Sequence, residues 1–178
     1  MTTEVLESLR FPIGKFQRTT AAPDTRAASI AAIRDLPVNL RKAVAGLNDK
    51  QLDTPYRDGG WTVRQTVHHI ADSHLNAYSR SRHALVEEWP TIYAYNEARW
   101  AELHDANTAP LAPSLSMIEG MHDRWATLLA SLTDADFTRG YTHPENGRQS
   151  LEQVVALYAW HSKHHTAHIT ELRKRMGW

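Results

Sequence analysis

The chain of 178 residues carries eleven histidines, and seven of them fall into two groups. His68, His69 and His74 share one segment; His161, His164, His165 and His168 share another near the C-terminus. His161 and His165 are four residues apart. On a helix, positions i and i+4 stand one above the other, so the two imidazoles can converge on one ion. If they bound nothing, an apolar face holding both would need two satisfied hydrogen-bond networks. With no cysteine in the chain, a metal site has to be built from histidine and carboxylate.

A catalytic metal usually has three protein ligands and an open position, so the first histidine group should supply one more. Here the helical wheel leaves a choice. Val63, Val67, Ile70, Tyr78 and Leu85 form an apolar stripe that includes His74. His69 lies on another face with Thr62, Thr66, Ser73 and Asn76, small polar residues able to line a wet cavity beside an ion. Periodicity leaves the third ligand open between His69 and His74, with His68 the weaker candidate.

These residues need helices to position them. Setting Leu151 at zero, Val154, Tyr158, Ile169, Leu172 and Met176 fall on one stripe, and His161 and His165 lie inside it. His164 points away from that stripe and His168 sits at its edge. The helix is expected from near Ser150 to Gly177. Thr62 and Gln65 have capping-box spacing and open the helix of the first group, which runs to about Glu88 before Pro90. An earlier stripe, Ile30, Ile33, Leu40, Val44 and Leu47, predicts a helix that Asp24 can cap and Pro37 should kink. Ser116 with Glu119 suggests another start, followed by Met121, Trp125, Leu128 and Leu132. A short helix is expected over Asn96–Leu103, and the first 23 residues, with Pro12, Gly14 and Pro23, read as an extended arm. No segment of any length alternates as a strand would. The fold class is all-α, a bundle of four main helices in one domain over residues 1–178.

A weak internal repeat is either chance similarity between two polar loops or the mark of two related helix pairs. Leu47-Asn-Asp49-Lys-Gln-Leu52, then Tyr56 and Thr62, reads like Leu132-Thr-Asp134-Ala-Asp-Phe137, then Tyr141 and Ser150. Both stretches join a long helix to a histidine-bearing one, as two helix pairs related by a pseudo-twofold would require.

Charge is balanced, 20 basic residues against 20 acidic, which gives no electrostatic reason to expect nucleic acid or an anionic membrane as a partner. No apolar run approaches the roughly 20 residues of a membrane helix. The first residues lack the basic and apolar regions of a signal peptide. A cytoplasmic location is the expectation.

The block Trp61-Thr-Val-Arg64-Gln-Thr-Val-His68-His69-Ile-Ala-Asp72-Ser resembles the first metal motif of the DinB-like superfamily, where a Trp opens the helix and a His follows eight residues later. Trp160-His161-Ser-Lys-His164-His165-Thr-Ala-His168-Ile resembles the second, with ligands four apart. The nearer likeness is to the YfiT-type branch, through Phe11-Pro-Ile-Gly-Lys-Phe, Gln51-Leu-Asp-Thr-Pro-Tyr-Arg-Asp-Gly-Gly-Trp61, Tyr141-Thr-His-Pro and the ending His168-Ile-Thr-Glu-Leu…Arg175-Met-Gly-Trp178. The resemblance implies a ligand set of His69, His161 and His165, one zinc or nickel ion per chain, and a homodimer. Hydrolysis is the activity ascribed to that branch, and bacillithiol S-transfer to its best-known bacterial member.

Three neutral imidazoles suit zinc, nickel and copper about equally. A metal so held can activate water for hydrolysis or deprotonate a thiol. Zinc peptidases place a Glu beside the first His of HExxH; that slot is Ser162 here, which argues against peptidase chemistry. A thiolate needs no separate base, so transfer of a low-molecular-weight thiol to a small electrophilic substrate ranks first. Hydrolysis by metal-bound hydroxide ranks second, and a non-catalytic metal-binding stress protein third. Asp72, three residues after His69, is a candidate base or outer-shell orienter. His168 is a candidate outer-shell donor or proton shuttle. Trp61, Trp100, Trp125 and Trp160 read as core or pocket wall, and Arg80, Arg82 and His83 as a solvated face.

Overall fold

A computed structural model of the protein describes residues 3–18 and 23–178. Along the chain the elements are α1 (Thr3–Arg10), α2 (Pro23–Val44), α3 (Asp49–Leu52), α4 (Val63–Val86), α5 (Glu97–Trp100), α6 (His104–Thr108), α7 (Leu111–Ala130), α8 (Asp134–Thr138), β1 (Gly140–His143), β2 (Gly147–Ser150) and α9 (Leu151–Met176). The four long helices α2, α4, α7 and α9 make the bundle. α2 packs against α7 and α9, and α4 packs against the same two. Consecutive long helices α2 and α4 therefore stand diagonally across the bundle, as do α7 and α9. This is the contact pattern that a pseudo-twofold exchanging α2 with α7 and α4 with α9 requires. The connecting segments of the two halves match as well: α3 and α8 are single turns, each opened by a capping box, Asn48 with Gln51 and Thr133 with Asp136.

The two histidine-bearing helices begin where their caps demand. Thr62 accepts from the Gln65 amide and Gln65 reaches back to the Thr62 amide; Ser150 and Gln153 do the same for α9. Gly177 ends α9 in the left-handed conformation with φ of 70°. One apolar cluster fills one part of the bundle around Leu40, Val67, Ile118 and Ile169, and a second lies around Ile33, Trp125, Tyr141 and Val154.

Several expectations need correction. The N-terminal arm is not wholly extended: Thr3–Arg10 is helical. Eight residues carry too few turns to display a period, and so short a helix is marginal without tertiary support. The bundle also carries more than one short extra helix: α3, α5, α6 and α8 each span one turn or little more. The short helix expected over Asn96–Leu103 covers only Glu97–Trp100. Ser116 and Glu119 lie inside α7, which starts at Leu111 after Pro110, so their spacing is a coincidence of an amphipathic sequence. β1 and β2 form an antiparallel hairpin, Gly140 opposite Ser150 and His143 opposite Gly147. Four residues per strand are too few to show alternation. Gly140 is required there, since a Cβ would come within 2.1 Å of the Gln149 carbonyl oxygen. α2 runs on through Pro37. The cap expected of Asp24 falls on a side chain outside those described.

His122 of α7 is fully buried, and its Nδ1–H donates to the Ile33 carbonyl of α2 at 2.6 Å. Loss of hydration holds its pKa down at about 4, although the carbonyl pulls the other way. Since the unfolded imidazole titrates near 6.5, the unfolded chain takes up this proton first as pH falls. The stability tied to neutral His122 is complete above about pH 6.5 and is lost as pH falls towards 4. His122→Gln, which keeps a donor for Ile33, should therefore lose about 2 kcal/mol less between pH 7 and pH 5 than the native chain. Urea midpoints at the two pH values measure this, and equal losses would refute it.

Candidate functional site

The capped starts of α4 and α9 place His69 and His161 face to face across the seam between the helices. His69 Nε2 lies 3.3 Å from His161 Nε2. His165, one turn further along α9, completes a trio whose ligand atoms all lie within 4.8 Å of one another. The spacing fits an ion: bonds of about 2.05 Å at a tetrahedral angle put two donor nitrogens roughly 3.3 Å apart. The protonation state fits too. Burial holds His69 down at about 4 and His161 and His165 well below the usual imidazole value, so all three offer lone pairs near neutral pH.

The remaining ring nitrogens set the tautomers. His161 Nδ1 lies 3.0 Å from Nε2 of His74, which is fully buried on the apolar stripe of α4. With Nε2 turned to an ion, His161 donates its Nδ1–H to His74. His165 Nδ1 is 3.4 Å from His168 Nδ1, and His168 Nε2–H donates to the Arg10 carbonyl at 3.1 Å. This chain runs from the trio through two imidazoles to the N-terminal arm and leaves His165 Nε2 for an ion. His168 is also stacked on Tyr56, ring centroids 3.9 Å apart. Such outer partners fix the orientation of ligating rings.

The other histidines take different parts. His68 faces α7 and the segment before it, bonded to Ser114 Oγ and the Ala109 carbonyl, away from the trio. His164 is buried, contrary to its place on the wheel, because the arm covers that side of α9: the Phe11 ring lies 5.9 Å from it and Trp160 donates to the Gly14 carbonyl. His164, His165 and His168 also bring ligand atoms within 4.8 Å and share His165 with the trio, but this group lies on α9 alone and His168 is already bound to the Arg10 carbonyl. His74 behind His161 was legible only as a rival ligand; its spacing carried no sign of the second role.

The trio opens on a cavity of about 600 Å³ walled by Trp61, Ser73, Tyr95, Tyr141, Tyr158 and Arg80, among others. The hairpin delivers Tyr141, His143 and Gln149 to it, and the arm delivers Arg10 and Phe11. Asp72 is not among the lining residues. It is half-buried, and desolvation with help from Asp105 raises its pKa to about 6. Trp61 is wall, 4.5 Å from the His69 ring, and Trp125 is core, while Trp100 is exposed. Arg80, expected in a solvated face, is buried; Arg82 and His83 are exposed as expected.

Metal content tests the trio. His69→Ala, His161→Ala and His165→Ala should each lose bound metal, whereas His164→Ala should keep it. His74→Phe preserves the ring shape but removes the acceptor for His161, and should weaken metal affinity about 10- to 100-fold. Full occupancy in His161→Ala would sink the site, and native affinity in His74→Phe would remove the orienting role.

The DinB superfamily model matches residues 25–169. A relative from Geobacillus thermodenitrificans, named "Putative metal-dependent hydrolase", is 53% identical over 177 residues, covering 97% of this chain and 98% of the relative. "Putative metal-dependent hydrolase YfiT" of Bacillus subtilis is 48% identical over 173 residues, covering 96% and 97%. The solved structure of Bacillus subtilis YfiT, described as having an unusual four-helix bundle topology, superposes with a TM-score of 0.93 at 47% identity, over 96% of this chain and 99% of that one. With the diagonal order of the long helices and the paired histidine motifs, these similarities make the chain a member of the DinB superfamily.

Proposed function

We propose that the chain is a metal-dependent enzyme that transfers a low-molecular-weight thiol to a small electrophile, with His69, His161 and His165 holding one divalent ion, zinc or nickel. The observation that carries this reading is a trio of neutral imidazoles on an open cavity in which, among the described residues, no carboxylate is buried beside them. The lining carboxylates, Glu97 and Glu145, are exposed. Ser162, in the slot a zinc peptidase gives to its general base, is buried and donates to the Tyr158 carbonyl. The cavity volume lies in the range of small-molecule sites, which supports catalysis over storage of an ion.

A divalent ion held there would supply the positive charge that lets a thiol lose its proton well below the ~8.5 of a free thiol. The thiolate sulfur then attacks the electrophilic carbon. A carbon–sulfur bond forms, the bond to the leaving group breaks with its electron pair, and the thiol proton passes to solvent. His74 and His168 hold the ligand rings in place, Trp61 shields the His69 side, and Tyr95, Tyr141 and Tyr158 line the cavity, with the Tyr158 ring 5.4 Å from that of His161.

Hydrolysis is the second reading, supported by the names of the relatives. A water nucleophile would have to pass a proton to a base, and among the described lining residues beside the trio the candidates are His164 and His168, held down by burial at about 3 and about 4 and so weak bases. The two readings part in a rate measurement with one electrophile and one ester, each with and without added thiol. Turnover of the electrophile should need both thiol and metal, and should change little between pH 8.5 and pH 7. Ester cleavage that proceeds without thiol and stops on chelation would reverse the ranking.

A further inference from the structure

Two arginines are buried among the described residues, and the fold treats them differently. Arg64, 5% exposed, is paired twice, with Asp53 at 2.7 Å and Asp49 at 2.9 Å, and donates to the Ala109 carbonyl. Its charge is compensated, and it ties α3 to α4. Arg80, 8% exposed, has no carboxylate within 4.0 Å among the described residues. One of its NH2 groups donates to the Tyr93 carbonyl at 2.6 Å, it also donates to the Tyr141 hydroxyl, and its guanidinium carbon lies 5.9 Å from the Tyr95 ring centroid, so its partners are neutral. A guanidinium taken from water without a counter-charge is costly, and buried charges are ordinarily paired.

The position of Arg80 gives the missing partner a place to come from. It lines the same cavity as His69 and Ser73. Eleven residues separate His69 from Arg80 on α4, which is about 1100° of helix, or three turns plus 20°, and a rise of roughly 16 Å. The two residues therefore share one face of the helix, with Ser73 on it between them. Side chains on a helix lean towards its N-terminus, so the guanidinium reaches back along the cavity towards the trio. The walls beside it are neutral hydrogen-bonding groups, Tyr95, Tyr141, Tyr158 and Gln149, and the carboxylates of Glu97 and Glu145 are exposed.

We infer that Arg80 is the anion-binding end of the substrate cavity, taking a carboxylate carried by a substrate whose reacting atom lies at the histidine trio, about three helical turns along the same face of α4. The inference rests on this cavity being the substrate site of the proposed reaction. A planar guanidinium held by the Tyr93 carbonyl and the Tyr141 hydroxyl has five N–H donors, more than those two neutral acceptors use, and can offer the remainder to a carboxylate as a fork that a lysine would not reproduce. Such a substrate would supply the charge that Asp49 and Asp53 supply to Arg64.

Zinc-loaded protein, titrated in a calorimeter with ω-mercaptocarboxylates of increasing chain length and with the matching ω-mercaptoalcohols, tests this. The carboxylates should bind about tenfold more tightly or better, with the advantage peaking at an intermediate length. S-methylated members of both series keep the two ends but cannot give a thiolate. They should retain the carboxylate advantage, so the subsite can be judged even if the thiol-transfer reading fails. A second arm compares turnover of one electrophile with and without a carboxylate; an advantage only there puts the anion on the electrophile. Arg80→Met should abolish the advantage in whichever arm shows it and leave zinc content unchanged, while Arg80→Lys should restore part of it. A residue that merely pins Tyr93 would not discriminate carboxylate from alcohol. Equal behaviour of acid and alcohol in both arms with the native protein overturns the inference, as does an Arg80→Met protein that still discriminates. If Arg80→Met fails to fold, the native comparison and the Arg80→Lys comparison decide.

Discussion

Across the α4–α9 seam, Nε2 of His69 and Nε2 of His161 face each other at 3.3 Å in an interior that keeps both rings neutral. Two lone pairs cannot face each other there without something between them. In the absence of an ion, one ring must carry its proton on Nε2 and donate it to the other. When an ion takes the lone pairs, the proton of His161 has to sit on Nδ1, and His74 has to accept it. His74 is placed for either arrangement, 3.0 Å away and sealed from water. Its own Nδ1 has no partner among the described residues, and neither has Nε2 of the His122 ring stacked on it. With Nε1 of Trp125, packed edge-on against both rings, three buried polar atoms behind the site have no partner among the described residues, at a cost of about 1–3 kcal/mol each.

That contact constrains the topology. Both histidine-bearing helices must lie side by side, yet each must begin from a capped turn that also builds the cavity wall. Placing α2 opposite α4 and α7 opposite α9 meets both needs, since the long connections then cross the ends of the bundle instead of folding back as tight hairpins. The first connection supplies Tyr56 and Trp61 to the cavity, and the second supplies Tyr141, His143 and Gln149 through the short hairpin. Arg64 anchors the first connection by its pairs with Asp49 and Asp53. In the second, the Leu151 amide donates to the Arg139 carbonyl at 2.7 Å across the base of the hairpin.

How much of this could be read from the sequence depended on whether a feature is local. The cap at Thr62 is, and it located the start of α4 to the residue; α9 was expected from near Ser150, and the Ser150–Gln153 capping box, equally local, was there to fix it. The His161–His165 pair is local as well. The choice between His69 and His74 is not, because an apolar stripe marks what is buried in hydrocarbon while the cavity is a polar interior on a neighbouring face. Only the motif resemblance separated the two. The same blindness put Arg80 in a solvated face: spacing cannot tell a side chain facing a cavity from one facing bulk water, although Arg80 falls on the face of His69 and Ser73. His164 was misplaced for another reason. Its burial comes from the arm, a contact across some 150 residues that no wheel contains.

The cavity chemistry narrows what the site can do more than the trio alone does. Its phenols are poor bases, since burial drives Tyr95 up to about 12 and raises Tyr141 and Tyr158 as well. At neutral pH they donate hydrogen bonds and take up no protons. Ser73 Oγ lies 3.4 Å from the Tyr158 hydroxyl and belongs to the same donor wall. A wall of donors with a guanidinium at its end stabilises negative charge developing on a substrate or on a departing group. It does nothing for a water molecule that must shed protons as it attacks. A nucleophile that arrives with one proton and loses it on contact with a cation makes no such demand. The donor wall and the lack of a buried carboxylate in the described lining therefore favour the same nucleophile.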